Sequence, residues 1–173
     1  MTDESVLALD LSKSVGWAFA RGWAKPTFGV KELPRGTYVP DAKCFVIYEQ
    51  WLDDMIRVEK PTSIIFEAPI LTQEKGVAGD PYLLITLAGL TDWKCEKLGI
   101  DCVQATASEA RRYFIGHAKG KSAELKADVG YRCRQLGWMT DNHNTADALC
   151  LLAYFRGMEF EPSTGQLLAG AAE

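Results

Sequence analysis

The segment Val6-Leu7-Ala8-Leu9-Asp10-Leu11-Ser12 is a nearly unbroken apolar run with one carboxylate close to its end. Apolarity on successive residues, without polar alternation, marks a strand covered on both faces, as in the centre of a parallel or mixed sheet. A carboxylate in such a strand loses its hydration and needs a partner, a cation or a proton. Asp10 is therefore read as the first ligand of a metal site, and the remaining chain is read for the other ligands.

A second run of the same kind, Ser63-Ile64-Ile65-Phe66-Glu67-Ala68-Pro69, also ends in an acid. Between the two runs, Gly16–Arg21 and Thr27–Leu33 read as strands that form an antiparallel meander with the first. The stretch from about Asp41 to Val58 carries Phe45, Tyr48, Trp51, Leu52, Met55 and Ile56 on one helical stripe, and Lys60-Pro61 stops it. Leu71–Gly79 reads as a flexible loop. Asp80-Pro81 then starts a helix, with Asp as cap and Pro at the first position, that runs to about Leu98 and is closed by Gly99. Asp101–Ala105 is a fifth strand. Ser108 caps a short helix through Phe114, and Ser122 caps another ending near Gly137. Asn142 or Asn144 opens a last helix through Arg156, with Ala146, Leu149, Cys150 and Ala153 facing the core. Residues 1–160 read as one domain and 161–173 as a mobile tail of small residues. Mixed strands with helices on both faces make an α/β sandwich.

No apolar stretch approaches the ~20 residues needed to span a membrane, and the acidic start Met1-Thr2-Asp3-Glu4 has no signal-peptide pattern. The five cysteines are scattered and never form a CxxC pair, which points to free thiols in a reducing cytosol rather than to a zinc site. A net charge of −4 argues mildly against nucleic acid when taken globally, but the charge is unevenly placed. From Ser108 to Trp138 there are seven basic residues against three acidic ones.

Asp10 and Glu67 each fall near the C-terminal end of a central strand, where open α/β sheets place their sites. If the strands are parallel neighbours, both acids emerge at one edge. The third candidate is Asp147, read as lying in the first turn of the last helix. Each acid alone has a plain structural reading: a helix-dipole partner for Asp147, a solvent-facing strand end for Glu67. Three converging acids would instead repel one another and raise their pKa values, a conflict that Mg²⁺ or Mn²⁺ removes. Two such ions activate a water and stabilise the leaving oxygen of a phosphodiester. Asp141, Asn142, His143 and Asn144 lie just upstream, and His143 or Asn144 can share a helix face with Asp147. Arg111, Arg112, Lys119, Lys121 and Lys126 are the candidate phosphate contacts, against the plain reading of a solvated basic helix face and loop.

Leu9-Asp10-Leu11-Ser12 with Gly16-Trp17-Ala18, then Ile65-Phe66-Glu67, then Asn144-Thr145-Ala146-Asp147-Ala148-Leu149 resembles the RuvC family of Holliday-junction resolvases in the RNase H-like superfamily. Ala110-Arg111-Arg112-Tyr113-Phe114-Ile115-Gly116 followed by Lys126 is similar to the segment that follows the family's last strand. The resemblance spans about Val6 to Tyr154. It implies an RNase H-like mixed five-stranded sheet, a three-stranded antiparallel meander plus two parallel strands, flanked by helices. It implies that Asp10, Glu67 and Asp147 hold two Mg²⁺ or Mn²⁺ ions, and that Lys126 offsets charge at the scissile phosphate. Asn144 stands where family members carry Asp or His; its amide can ligate a metal but brings no charge and cannot act as a base. The fourth ligand then falls to Asn144, His143 or Asp141. Modest size and low charge suit a phage-type or other divergent member, acting in a bacterial cytoplasm or a phage-infected host.

The function expected is a metal-dependent endonuclease on branched DNA, Holliday-junction resolution first, in DNA recombination and repair. A DEDD-type 3′–5′ exonuclease is the enzyme alternative, although Ser12 stands where that class has a second acid. Actin-like or sugar-kinase-like ATPases need glycine-rich phosphate loops that this chain lacks. The non-enzyme alternative is a DNA-binding or scaffold protein with a decayed site. A homodimer is expected, since two symmetric cuts suit two sites about a two-fold axis. Leu83, Leu84, Leu87, Leu90 and Trp93 cover more of the helix following Asp80 than one core stripe requires, and by resemblance that helix lies at the dimer interface.

Overall fold

The computed structural model describes residues 4–69 and 80–160, with side chains through 157. The expected loop over 71–79 and tail over 161–173 lie outside the described residues. The first strand, β1 (Ser5–Asp10), is followed by β2 (Ser14–Arg21) and β3 (Thr27–Glu32). Helix α1 (Asp41–Glu59), strand β4 (Ser63–Glu67), helix α2 (Pro81–Leu98) and strand β5 (Asp101–Ala105) come next. Helices α3 (Ala107–Ile115), α4 (Ser122–Gln135) and α5 (His143–Phe160) close the chain.

The five strands form one sheet of order β3-β2-β1-β4-β5. β1, β2 and β3 pair antiparallel, and β1–β4 and β4–β5 pair parallel. The position of β1 at the centre explains its unbroken apolarity, for Val6, Leu7, Ala8 and Leu9 are all buried. Side chains alternate between two cores. Leu7, Leu9, Ile64 and Phe66 pack beneath α1 and α2, and Val6, Ala8, Ala18, Ala20 and Ile65 pack beneath α3, α4 and α5. Helix α5 crosses β3, β2, β1 and β4.

The helix ends show where local signals were competing. Asp80 caps α2 as expected, its carboxylate accepting from the amides of Tyr82 and Leu83. Ser108 does not cap α3. Thr106 does, because Glu109 three residues on completes a reciprocal box: the Glu109 amide donates to Thr106 Oγ1 at 3.2 Å and the Thr106 amide to Glu109 Oε2 at 2.9 Å. Ser122 is likewise the first residue of α4 and not its cap; that place belongs to Lys121, whose amide donates to Glu124 Oε2. Helix α4 ends at Gln135, two residues short of Gly137. At the start of α5, Asn142 Oδ1 accepts from the Thr145 amide at 3.0 Å, which settles the choice between Asn142 and Asn144. All five cysteines are free thiols.

Candidate active site

Alternation along β1 puts Asp10 on the same face as Val6 and Ala8, and along β4 it puts Glu67 on the face of Ile65. Leu9 stands opposite Phe66 in the parallel ladder, so Asp10 and Glu67 occupy the next step, at the C-terminal end of both strands. That face is the one covered by α5. The helix is drawn down onto it by a close approach at Gly16, where any Cβ would collide with the Asn144 carbonyl. The Asn144 amide donates to Ser14 O at 2.6 Å and to Ser12 Oγ at 3.2 Å, and the Thr145 hydroxyl donates to Gly29 O at 2.9 Å. These contacts fasten the start of α5 to the β1–β2 turn and to β3.

Asp147 is then buried, at 7% exposure, facing the two strand-end acids. It is the fifth residue of α5, not part of the first turn, which holds no acid. The unpaired amides of a helix start lie in its first four residues, so a simple capping role for Asp147 loses its basis.

The three acids act on one another electrostatically. Burial pushes the Asp10 carboxyl well above the usual carboxylate range, and the charges of Glu67 and Asp147 push it further, against the pull of Lys126 and Arg111. Glu67 is raised by burial and then by Asp147, with Arg111 and Lys126 again opposing. The Arg111 guanidinium lies 3.3 Å from Asp147 Oδ1 and is itself mostly buried, with its Nε lacking a hydrogen-bond partner. Arg111 thus faces the acids rather than solvent, a placement without a local sequence signal because its partner is 36 residues away. Cys150 borders the same crevice, but burial first, and Asp147 next, hold its thiol far above its usual range, which leaves the oxygen donors as the available ligands.

The donor chemistry fits a hard divalent cation: three carboxylates, two of them with ionisation made harder by burial and by one another's charge, a conflict that a cation relieves. Among the described residues, no three His, Cys, Asp or Glu side chains stand near enough to enclose an ion as they are placed. Asn144 commits its amide nitrogen to the β1–β2 turn, while His143 and Asp141 are exposed. Lys126 on α4 is half-buried and bears on both Asp10 and Glu67. Arg112, Lys119 and Lys121 are exposed on the same run of chain.

No protein-family profile and no curated protein sequence matches the chain. Solved structures do match. RuvC of Thermus thermophilus in complex with a Holliday junction substrate superposes with a TM-score of 0.66 at 14% identity, over 87% of this chain and 92% of that one. A further Thermus thermophilus RuvC structure gives 0.68 at 13% identity, over 89% and 95%. The yeast mitochondrial Holliday junction resolvase Ydc2 gives 0.59 at 14% identity, over 89% and 78%. At these identities the likeness is one of architecture. The chain has the RNase H-like fold shared by the RuvC and Ydc2 resolvases.

Proposed function

We propose that this protein is a metal-dependent endonuclease that hydrolyses phosphodiester bonds in branched DNA, with the four-way junction as its principal substrate. The observation that carries this reading is the electrostatic convergence of Asp10, Glu67 and Asp147 at the C-terminal ends of two parallel central strands. The neighbour bound to a Holliday junction shares that sheet.

Asp10, Glu67 and Asp147 would hold Mg²⁺ or Mn²⁺, two ions in the fullest form. When bound, the ions supply a water nucleophile at neutral pH and neutralise charge on the leaving oxygen. The chain's own residues do the rest. Burial and repulsion raise the pH at which Asp10 and Glu67 ionise, so metal loading, which needs the carboxylates, is favoured as pH rises. Arg111 keeps the buried Asp147 charge paired until the acids are otherwise neutralised. Lys126 bears on the acids from α4 and offsets charge on the phosphate, and Arg112, Lys119 and Lys121 extend the cationic surface along the DNA backbone.

Two exposed features favour a homodimer. The outer face of α2 carries Tyr82, Ile85 and Trp93 in water, beside the buried Leu83 and Leu87. Gly89 lies in the same helix with open space where a Cβ would be, although glycine costs about 1 kcal/mol against alanine in a helix interior. A helix with apolar surface and room for close approach suits pairing with its symmetry mate.

A second reading, a DNA-binding protein without activity, draws on the neutral Asn144 and on the Arg111–Asp147 pair. The exonuclease reading loses ground because Ser12 uses its hydroxyl to hydrogen-bond Ser14 O. The deciding experiment incubates the protein with matched linear, flap and four-way DNAs, with and without Mg²⁺ or Mn²⁺, alongside sedimentation at micromolar concentration. Paired, metal-dependent nicks in the four-way DNA by a dimer support the proposal. Binding without cleavage in either metal would leave the non-enzymatic reading standing.

A further inference from the structure

A cleft of about 700 Å³ opens on the α5 side of the sheet, between the β2–β3 turn and helices α3, α4 and α5. It is separate from the acids. Arg156 lines it, nine residues beyond Asp147 and therefore about 13 Å further along α5. Its wall alternates aromatic rings and cations: Trp23, Tyr113 and Trp138 with Lys25, Arg132 and Arg156, and no acidic side chain lines it among the described residues.

Arg156 is the unusual member. It is only 4% exposed, yet it forms no ion pair among the described residues, and its Nε has no hydrogen-bond partner. One Nη donates to Ala24 O at 2.8 Å, and the guanidinium carbon lies 5.8 Å from the Trp23 ring centroid. The contrast with Lys94 is direct, for that buried cation is held by both Glu49 and Asp53. A buried charge without a counter-ion is costly, and an anion entering the cleft would relieve it. Trp23 is 62% exposed with the Arg156 guanidinium against its ring, and Tyr113 is 42% exposed beside the Tyr154 ring, so part of each aromatic surface lies open to a flat ligand. Cations beside exposed aromatic rings are the recognition chemistry of single-stranded nucleic acid, where bases stack and phosphates pair.

We propose that this cleft binds an unpaired DNA strand, its phosphate held by Arg156, Arg132 and Lys25 and a base stacked on Trp23. The proposal deepens the branched-DNA reading and rests on it, since a branch point offers unpaired nucleotides near the bond to be cut. It makes the cleft a second contact that favours DNA with a frayed or open arm.

The test measures fluorescence anisotropy of a labelled eight-nucleotide thymidine strand with the full chain in EDTA, so that no cleavage intervenes. Trp23→Ala and Arg132→Glu change exposed side chains and leave the fold standing, as circular dichroism will check. Each should weaken binding about tenfold, the size of a single base stack or phosphate pairing, whereas Lys97→Ala, on α2 and away from the cleft, should leave it unchanged. Wild-type affinity in both cleft variants overturns the proposal, as does absence of binding by the wild type. Competition by adenosine monophosphate as strong as that by the strand would also overturn it, in favour of a small-nucleotide pocket. Strand binding that depends on Trp23 and Arg132, in a protein that cuts no branched DNA, would count against the nuclease reading and leave the cleft assignment intact.

Discussion

The two faces of the sheet bury charge in opposite ways. Under α1 and α2, the buried Lys94 ammonium lies 3.0 Å from Glu49 and 2.8 Å from Asp53, and the Tyr48 hydroxyl meets Thr91 at 2.6 Å. That polar set is complete, and Leu7, Leu9, Leu52, Phe66 and Leu87 fill the space around it. Under α5 the strand side chains are smaller, with Ala8, Ala18 and Ala20 letting the helix lie close. There Asp10, Glu67 and Asp147 face one another and, among the described residues, Arg111 and Lys126 offset them. A structure selected for stability alone would finish the second set as it finished the first. On the proposed reading, that unfinished set of like charges is a demand for an external cation, and the two faces separate packing from chemistry.

The largest expected effect comes from removing that demand. Asp10→Asn or Asp147→Asn should lower cleavage of branched DNA by about 10³-fold or more, with folding and DNA binding retained. Stability should move the other way. The native carboxyl of Asp10 ionises at higher pH than in the unfolded chain, so the metal-free protein binds the proton more tightly when folded. Its stability should therefore fall as pH rises from the ordinary carboxylate value through the native one. Asp10→Asn should flatten that fall and raise the melting temperature of the metal-free protein at neutral pH. Thermal unfolding in EDTA across pH checks this, and a variant less stable than wild type at neutral pH would break the contrast between the faces.

A pair of glycines gives the next effect. Gly16→Ala drives a methyl into the Asn144 carbonyl, and the start of α5 must move. A loss of about 1–3 kcal/mol is expected, with cleavage lowered because Asp147 moves too. Gly89→Ala on the other face meets nothing within 4 Å. It should stabilise α2 by up to about 1 kcal/mol in the monomer while weakening self-association, if the two copies of α2 approach there. Urea unfolding and sedimentation of both variants separate the outcomes.

The smallest effect concerns the surface beside the acids. Lys119→Ala with Lys121→Ala should reduce the slope of log affinity against log salt by about one for each phosphate that the pair neutralises. No counterpart is expected from neutralising Lys97, which is on α2 and lies against the Trp93 ring. An unchanged slope would remove the two lysines from the DNA interface.

Much of the architecture is legible residue by residue, because its signals are local. The apolar runs of β1 and β4, the Asp80-Pro81 start of α2 and the span of β5 are all fixed by neighbours within a few positions. Period-two alternation alone puts Asp10 with Ala8 and Glu67 with Ile65. The same local reasoning misplaces the caps of α3 and α4, where Thr106-Glu109 outcompetes Ser108 and Glu124 serves the Lys121 amide. Other features had no local signal. Parallel pairing of β1 with β4 joins residues more than fifty positions apart and decides that the two acids share an edge. Gly16 beneath Asn144, Arg111 against Asp147 and Arg156 beside Trp23 are likewise contacts between distant segments. The sequence by itself determined which residues are acidic, buried and on one face of a strand, since those follow from side-chain chemistry and backbone period. Only the tertiary structure decided which charges meet and which remain unpaired, because Coulombic coupling and desolvation depend on distance in space and on what excludes water.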